Sequence, residues 1–462
     1  MATLAPSSSI TLGLTDYDSV TVSCHGPVLI EAVSGLGVAA GKIAEVQGTR
    51  QFGPFSPGGS LKLTTYGRSA QYEVADGTAP VSNAAPVIIR TPNGVQKNVP
   101  TSGSGSINPS SYNRTRAAIA RVRAKTGNMR IGFIGDSTQT GAFSLGSGVG
   151  VIGNRAVSHV AFCAAALNCK ETPAISSSFW GDQNIVGATV PQYDPRITWG
   201  AGWGVATGRS IGGFMHYNAT TTNALTFLPT NPVDTFEVYY ATAAGAAEFT
   251  ISRTGDATTS AIVTAGANGI GKYTFTGALS DTNAVSIQRN GIGAGLFIIG
   301  INAYNSAESA IQCFNWGWSS GAVADWVVST LAYNPLPAMV NAACDHYVVT
   351  YGINEWASGV NLATSTANLA AIVDALLVVG DVSLCTGYPS QKASASLAVQ
   401  KTYVDALYSI AAARNLAVND VWQKVGSYEQ GNAMGYYANN LHPLAKLYQL
   451  KAESDANMIL SL

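Results

Sequence analysis

The last third of the chain constrains the fold most. From Ile311 onward, apolar strand-like runs alternate with helix-length segments: IQCFN then GAVADWVVSTLAY, HYVVTY then TANLAAIVDALLVV, VSLCTG then SLAVQKTYVDALYSIAAARN. LAVND and a closing helix from about Pro443 to Leu460 complete the series. Continuous apolar strands joined by segments of crossover length predict a parallel sheet covered by helices on both faces. The same grammar begins earlier. SYNRTRAAIARVRAKTG reads as a helix capped by Gly127, then comes a strand over Arg130–Ile134, then a helical run from Arg155 to Leu167.

Between about 205 and 305 the grammar changes. ALTFL, TFEVYY, EFTIS, AIVTA, KYTFT, AVSIQ and LFIIGI follow one another at short spacing, separated by Gly, Asn and Asp turns. That is a sandwich pattern, inserted into one α/β domain. Residues 1–80 alternate as strands do, and 81–112 are a Pro-, Ser-, Gly- and Asn-rich linker. The expected fold class is therefore a three-layer α/β/α sandwich over 113–204 and 306–462. An inserted β-sandwich over 205–305 interrupts it, and a small N-terminal β module precedes it.

Composition narrows the partners. Only 11% of the residues are charged, where about 25% is usual, and the formal net charge is −1. No basic field exists to attract nucleic acid or an anionic membrane. The N-terminus MATLAPSSSITLGL lacks the basic and apolar regions of a secretory signal, and no apolar run reads as a membrane span. Six scattered Cys show no zinc spacing and read as free buried thiols. A cytosol-made chain with a polar, uncharged surface fits a protein that acts on a virion or outside the cell after lysis.

Functional groups of parallel α/β sheets collect at the carboxyl ends of the strands. Here those ends read Gly135-Asp136-Ser137-Thr138, Asn315-Trp316-Gly317-Trp318-Ser319-Ser320-Gly321 and Tyr351-Gly352-Ile353-Asn354-Glu355. Asn439-Asn440-Leu441-His442-Pro443 stands before the last helix. Together they make a set for acyl transfer. Ser137 supplies a nucleophile and His442 a proton acceptor. The N–H groups of Ser137 and Gly321 and the side-chain amide of Asn354 supply oxyanion donors.

This four-block pattern resembles the SGNH (GDSL-type) hydrolase family over about 128–205 and 306–462. Gly317 is the alternative to Gly321 for the second block, and Glu355 stands where Asp is more usual in the third. The resemblance implies an acyl-serine intermediate and neither metal nor cofactor. The architecture is similar to phage tail-fibre and tailspike esterases of that family. That likeness implies a polysaccharide substrate, a homotrimer and virion attachment through the N-terminal module.

One departure matters. The family places Asp three residues before the His, and this chain has Asn439 there. An amide oxygen orients an imidazole without stabilising its charge. Three readings stay open: Asn439 or a backbone carbonyl as partner, another acid such as Asp420 or Glu429, or a site without activity. Asp136 and Glu355 read as structural, and His25, His159, His216 and His346 as packed or surface residues. Gly208-Arg209-Ser210-Ile211-Gly212 lacks the helix that a nucleophile elbow needs. Gly148-x-Gly150-x-x-Gly153 lacks the strand and acid of a dinucleotide site.

Trp316, Trp318 and Trp356, beside the second and third blocks, are candidates for a sugar-stacking wall. Trp180, Trp199 and Trp203 share that reading, against core packing. The expected activity is removal of acetyl groups from a polysaccharide. The rivals are a glycan-binding receptor on a decayed scaffold and a lipase or thioesterase.

Overall fold

The computed structural model describes residues 112–146, 155–183, 190–254, 259–280, 282–291, 293–392 and 395–462, with the backbone of several strands before them. Contacts divide the chain into Met1–Val87 and Ile88–Leu462. In the first unit, Ser19–Ser34 pairs antiparallel with Gly41–Phe52, Ser60–Thr65 and Ala70–Ala75. Apart from Val95–Gln96 and Tyr112, the expected linker lies outside the described residues, as does the Gly148–Gly153 loop.

The second unit is built on a sheet of β1 (Met129–Gly135), β2 (Ala174–Ile175), β3 (Ile311–Gly317), β4 (His346–Tyr351), β5 (Asp381–Thr386) and β6 (Val418–Asn419). Its order is β2-β3-β1-β4-β5-β6, all parallel, with Val95–Gln96 antiparallel on β6. Every residue of β3, β4 and β5 is buried, as in a sheet covered on both faces. The chain passes from β1 to β3 on one side and then to β4 on the other. The carboxyl end of β1 is thus a switch point, where such sheets bind ligands.

Helices α1 (Asn113–Arg123), α2 (Ser137–Thr140), α3 (His159–Asn168), α4 (Ile353–Ser358), α5 (Leu362–Val379), α6 (Leu397–Arg414) and α7 (Ala445–Ser461) accompany the sheet. Residues of α1, α3 and α7 pack with Ile131, Phe133 and Val348 on one face. Residues of α5 and α6 pack with Trp316, Val349 and Leu384 on the other.

Two antiparallel sheets interrupt this unit. One orders Trp203–Ser210, Gly213–Asn218, Leu296–Tyr304, Val233–Thr242 and Gly269–Ser280. The other orders Ile197–Trp199, Ala224–Phe227, Val285–Arg289, Phe249–Arg253 and Thr259–Ile262. Phe227, Phe236, Phe249, Ile251 and Ile287 are among the side chains of their shared core. Strands of this region begin before 205: Phe179–Trp180 already pairs with Leu296–Tyr304.

The insert is joined to the α/β core by aromatic and ionic contacts. Trp180 lies 4.8 Å from Tyr239, 5.4 Å from Phe314 and 5.6 Å from Trp316 between ring centroids. Arg130 of β1 reaches both oxygens of Glu237 at 2.7 Å. Burial pushes the Glu237 carboxyl up, but Arg130, Asn302 and Lys272 outweigh it and hold the carboxyl below its ordinary range.

Three expectations are corrected. α1 ends at Arg123, and Lys125 at φ 57°, not Gly127, makes the left-handed turn. The run GAVADWVVSTLAY is not one helix. Only Val323–Trp326 is helical there, and the Asn334 oxygen accepts from Leu331 N and Thr330 Oγ1, closing a turn before Pro335–Ala342. By length and composition, α5 is apolar enough to cross a membrane, with mean hydropathy 1.8. In the fold it flanks the sheet, burying Leu369, Ile372, Val373 and Leu376, while Asp374 pairs with Arg414.

Candidate active site

Gly135 ends β1 and Asp136 caps α2, its Oδ1 accepting from Thr138 N at 2.8 Å. Ser137 is the first residue of that turn. A first helical turn leaves N–H groups without intrahelical partners. Asp136 satisfies Thr138 N, so Ser137 N is left to face other acceptors. Asp136 is fully buried, and burial raises its carboxyl pKa. It works as a turn-holding group, as the sequence suggested.

Beneath α2 lies a buried polar cluster. Tyr448 Oη sits 3.2 Å from Ser137 O and 2.9 Å from Ala142 O. Lys451 Nζ donates to Gln139 Oε1 at 3.1 Å, and His159 Nδ1 lies 2.9 Å from the same oxygen. His159 Nε2 is 2.7 Å from Asp455 Oδ2, and Asp455 Oδ1 accepts from Asn419 Nδ2 at 2.7 Å. Tyr448, Lys451 and Asp455 share one face of α7 by helical spacing. That face fixes α2 to α7, whose entrance carries His442.

His442 is partly buried. Its Nδ1 lies 3.3 Å from Asn439 Oδ1, which also accepts the backbone N–H groups of Leu441 at 2.9 Å and His442 at 2.8 Å. Those two donors decide which amide atom faces the ring: it is the oxygen. Nδ1 therefore carries the proton, and Nε2 is the basic nitrogen. Burial, with the charge of Lys392, lowers the His442 pKa to about 4. The other candidate acids are engaged elsewhere. Asp420 caps the helix Val421–Val425 through Gln423 N, and Glu429 is exposed in the first turn of Tyr428–Ala433.

Phe143 was missed by sequence reasoning. Its ring lies 4.3 Å from that of His442 at 30°, and its backbone is held at φ 61°. A bulky residue in the left-handed region is strained. Ala445 N donates to Ser144 O at 3.0 Å. The loop after Ser137 and the His442 segment are thus tied by a ring contact and a hydrogen bond. A positive φ has no sequence signature at Phe, so this contact was not readable.

The second and third blocks meet. Asn354, in the first turn of α4, donates Nδ2 to Gly321 O at 3.0 Å, leaving its second N–H for another acceptor. Glu355 is fully buried and accepts from Val323 N at 2.8 Å and Gly352 N at 3.0 Å. Burial raises its pKa to about 7. Its role is to brace the two loops.

The Gly321 N–H is not available as expected: it closes a turn on Trp318 O at 2.8 Å. Gly317 N is likewise held by Asn315 Oδ1 at 3.0 Å. Trp318 N donates to Gly135 O, Ser319 N to Gln183 O, Ala322 N to Asp325 Oδ2 and Val323 N to Glu355 Oε1. Of the N–H groups from Trp318 to Val323, only that of Ser320 has no partner among the described residues. Ser320 is exposed and sits at φ 64°.

The stacking wall is also corrected. Trp316 and Trp356 are fully buried and Trp318 is 3% exposed. Trp316 packs on Trp180 and Tyr347, Trp318 on Trp326, and Trp356 on Trp422. Trp180 and Trp203 are buried too. At a sheet buried on both faces, a residue next to a motif is as readily inside the core as on the rim. Ser210 of the GxSxG run is buried in a hairpin strand. Among the described residues, no group of three His, Cys, Asp or Glu is placed to hold a metal ion. Four of the five described cysteines are buried and free, and Cys169 is exposed.

No family model matches this chain, and no curated protein matches its sequence. Among solved structures, that of a peptidoglycan O-acetylesterase is similar, covering 78% of this chain and 98% of that one, at 15% identity and a TM-score of 0.56. The two chains share a fold. A lipolytic protein of the G-D-S-L family from Veillonella parvula matches 33% of this chain and 82% of its own, at 16% identity and TM-score 0.27. A family two carbohydrate esterase from Clostridium thermocellum matches 57% and 98%, at 10% identity and TM-score 0.27. The last two overlays are too loose to argue from. The first agrees with a mixed α/β fold on a parallel sheet.

Proposed function

We propose that this chain is a serine esterase that removes acetyl or other short acyl groups from a polysaccharide. The observation that carries the reading is His442, with Nδ1 turned to Asn439 and Nε2 left basic, fixed by Phe143 to the loop of Ser137. The shared fold with a peptidoglycan O-acetylesterase supports it.

In this mechanism Ser137 Oγ attacks the ester carbonyl carbon as its proton passes to His442 Nε2. The oxyanion is met by the N–H of Ser137, the N–H of Ser320 and the second N–H of Asn354. Each such donor contributes on the order of 3 kcal/mol. The C–O bond then breaks, and His442 returns the proton to the leaving sugar hydroxyl. Water, deprotonated by His442, hydrolyses the acyl-serine, and the acid is released. Asn439 orients the ring but adds no charge to stabilise the imidazolium, so the chemistry is slow for a site of this kind.

The test is turnover of p-nitrophenyl esters from acetyl to octanoyl. Rates should be highest for acetyl, and Ser137→Ala should lower kcat by on the order of 10³-fold or more. Equal rates in wild type and Ser137→Ala would sink the reading. Asn439 favours one rival, a glycan receptor on a decayed scaffold. Glycan binding without any acetate release would select that rival.

A further inference from the structure

A second cavity lies where the insert meets the sheet, at the end of the strands opposite Ser137. Its volume is about 320 Å³, and its lining includes Asn128, Ser177, Pro232, Leu279, Tyr304 and Glu308. Asn128 directly precedes β1, and Ser137 follows the same strand. At ~3.3 Å per residue, the two ends are roughly 25 Å apart. The cavity is therefore separate from the esterase site.

Its chemistry is mixed in a particular way. Pro232, Leu279 and Tyr304 offer apolar surface, and Leu279 is 53% exposed. Ser177 is only 3% exposed, yet its hydroxyl has no hydrogen-bond partner among the described residues. The same holds for the Tyr304 hydroxyl. Asn128 Oδ1 accepts from Ala310 N at 2.9 Å, which fixes the amide and leaves its NH₂ group unpartnered. Glu308 is the one charged side chain in the lining. Small-molecule sites start at ~300 Å³ and combine apolar walls with a few polar groups that fix orientation.

We propose that this cavity binds one uncharged sugar ring of the polymer, remote from the ester being cleaved. A pyranose has an apolar face of C–H groups and an edge of hydroxyls. The first fits Pro232, Leu279 and Tyr304, and the second fits Ser177, Asn128 and the Tyr304 hydroxyl. Glu308 disfavours a carboxylate-bearing ring. The site gives a polysaccharide substrate a second hold, which raises affinity for polymer without touching the chemical step.

The proposal rests on the polysaccharide reading, but its test needs no catalysis. The full-length Ser137→Ala chain is titrated calorimetrically with cellohexaose and chitohexaose, and with hexagalacturonate as the anionic comparison. At least one neutral hexamer should bind saturably, and Tyr304→Ala or the surface change Leu279→Asp should weaken it by about tenfold or more. In a chain with Ser137 intact, both changes should leave p-nitrophenyl acetate turnover unaltered and raise KM for acetylated polymer. No saturable binding of either neutral hexamer overturns the proposal. So does binding that neither change weakens, or preference for hexagalacturonate. A chain that turns over p-nitrophenyl acetate but binds no hexamer overturns this site and leaves the esterase standing. Tyr304-dependent binding in a chain without turnover does the reverse.

Discussion

Two histidines of this chain, one touching Gln139 of α2 and one touching Phe143 just after it, are treated oppositely. His159, below the turn, is fully buried and has a carboxylate partner, Asp455, at 2.7 Å. His442, beside the Ser137 loop, has only the Asn439 amide oxygen at 3.3 Å. The chain does own a His–Asp pair, but it anchors α3 to α7. His442, the candidate base, is held by an uncharged group. A carboxylate beside a buried imidazole stabilises either a fold or a developing positive charge, depending on whether the ring can reach the nucleophile. The comparison teaches that scarcity of acids in this sequence is not uniform in its consequences.

Exchanging the acids is the sharpest way to break the comparison. Asn439→Asp keeps an oxygen for Leu441 N and His442 N and adds the missing charge. The analogous exchange in a serine-protease triad is worth on the order of 10⁴ in kcat. A rise of ~10²–10⁴-fold in p-nitrophenyl acetate turnover is expected, and no rise would mean that His442 does not act as the base. Asp455→Asn should instead leave residual activity per folded molecule nearly intact and cost ~3–5 kcal/mol of stability, read by urea denaturation. That cost arises because the buried Asp455 carboxylate faces His159 Nε2 and Asn419 Nδ2 and also offsets the charge of the nearby Lys424. An activity loss without a stability loss would place His159 in the mechanism.

Core and site are separated by Trp316→Phe. The smaller ring leaves a cavity in the core, so a loss on the order of 1–3 kcal/mol in stability is expected with KM unchanged. A raised KM at unchanged stability would restore Trp316 to the substrate surface.

The pH dependence keeps the two regions apart. His442 must be neutral to accept a proton, and its pKa is lowered to about 4. In wild type kcat/KM should therefore rise through about pH 4 and stay level to neutrality. In Asn439→Asp that limb should move up, because a carboxylate favours the imidazolium. Stability has a different window. Burial lowers His216 to about 4 and His346 to about 3. Each takes up its proton near pH 6.5 when unfolded but much lower when folded, so stability is full above about pH 6.5 and falls as pH drops toward 4. Each contributes a slope near 1.4 kcal/mol per pH unit there. Thermal unfolding between pH 7 and pH 5 checks this, and a pH-independent Tm would contradict it.

Much of the α/β half was readable. Continuous apolar strands and their spacing placed β1, β3, β4 and β5, and Ser137 and Asn354 do follow the ends of β1 and β4. Other features were not readable. Lys451 and Asp455, four apart on a helix, have the spacing of a solvated surface pair, and only tertiary packing, with α3 against α7 and Gln139 and Asn419 facing them, buries them. Trp316, Trp318 and Trp356 adjoin the motifs in sequence, but Trp316 lies in a strand covered on both faces, Trp318 packs on Trp326 and Trp356 turns from α4 onto Trp422, so each is in a core. Gly321 stands at the expected position, yet the local turn consumes its N–H and frees that of Ser320.

The sequence by itself determined the layered α/β plan, the interruption by strands, the candidate residues Ser137 and His442, and the amide in place of an acid. Those follow from periodicity and residue type, which are local. Tertiary structure alone decided what each polar atom faces. Hydrogen-bond partners and burial are set by elements hundreds of residues apart, as with Tyr448 and Ser137 O. The free Ser320 N–H, the Phe143 contact and the Asn128–Tyr304 cavity therefore had to be seen in the fold.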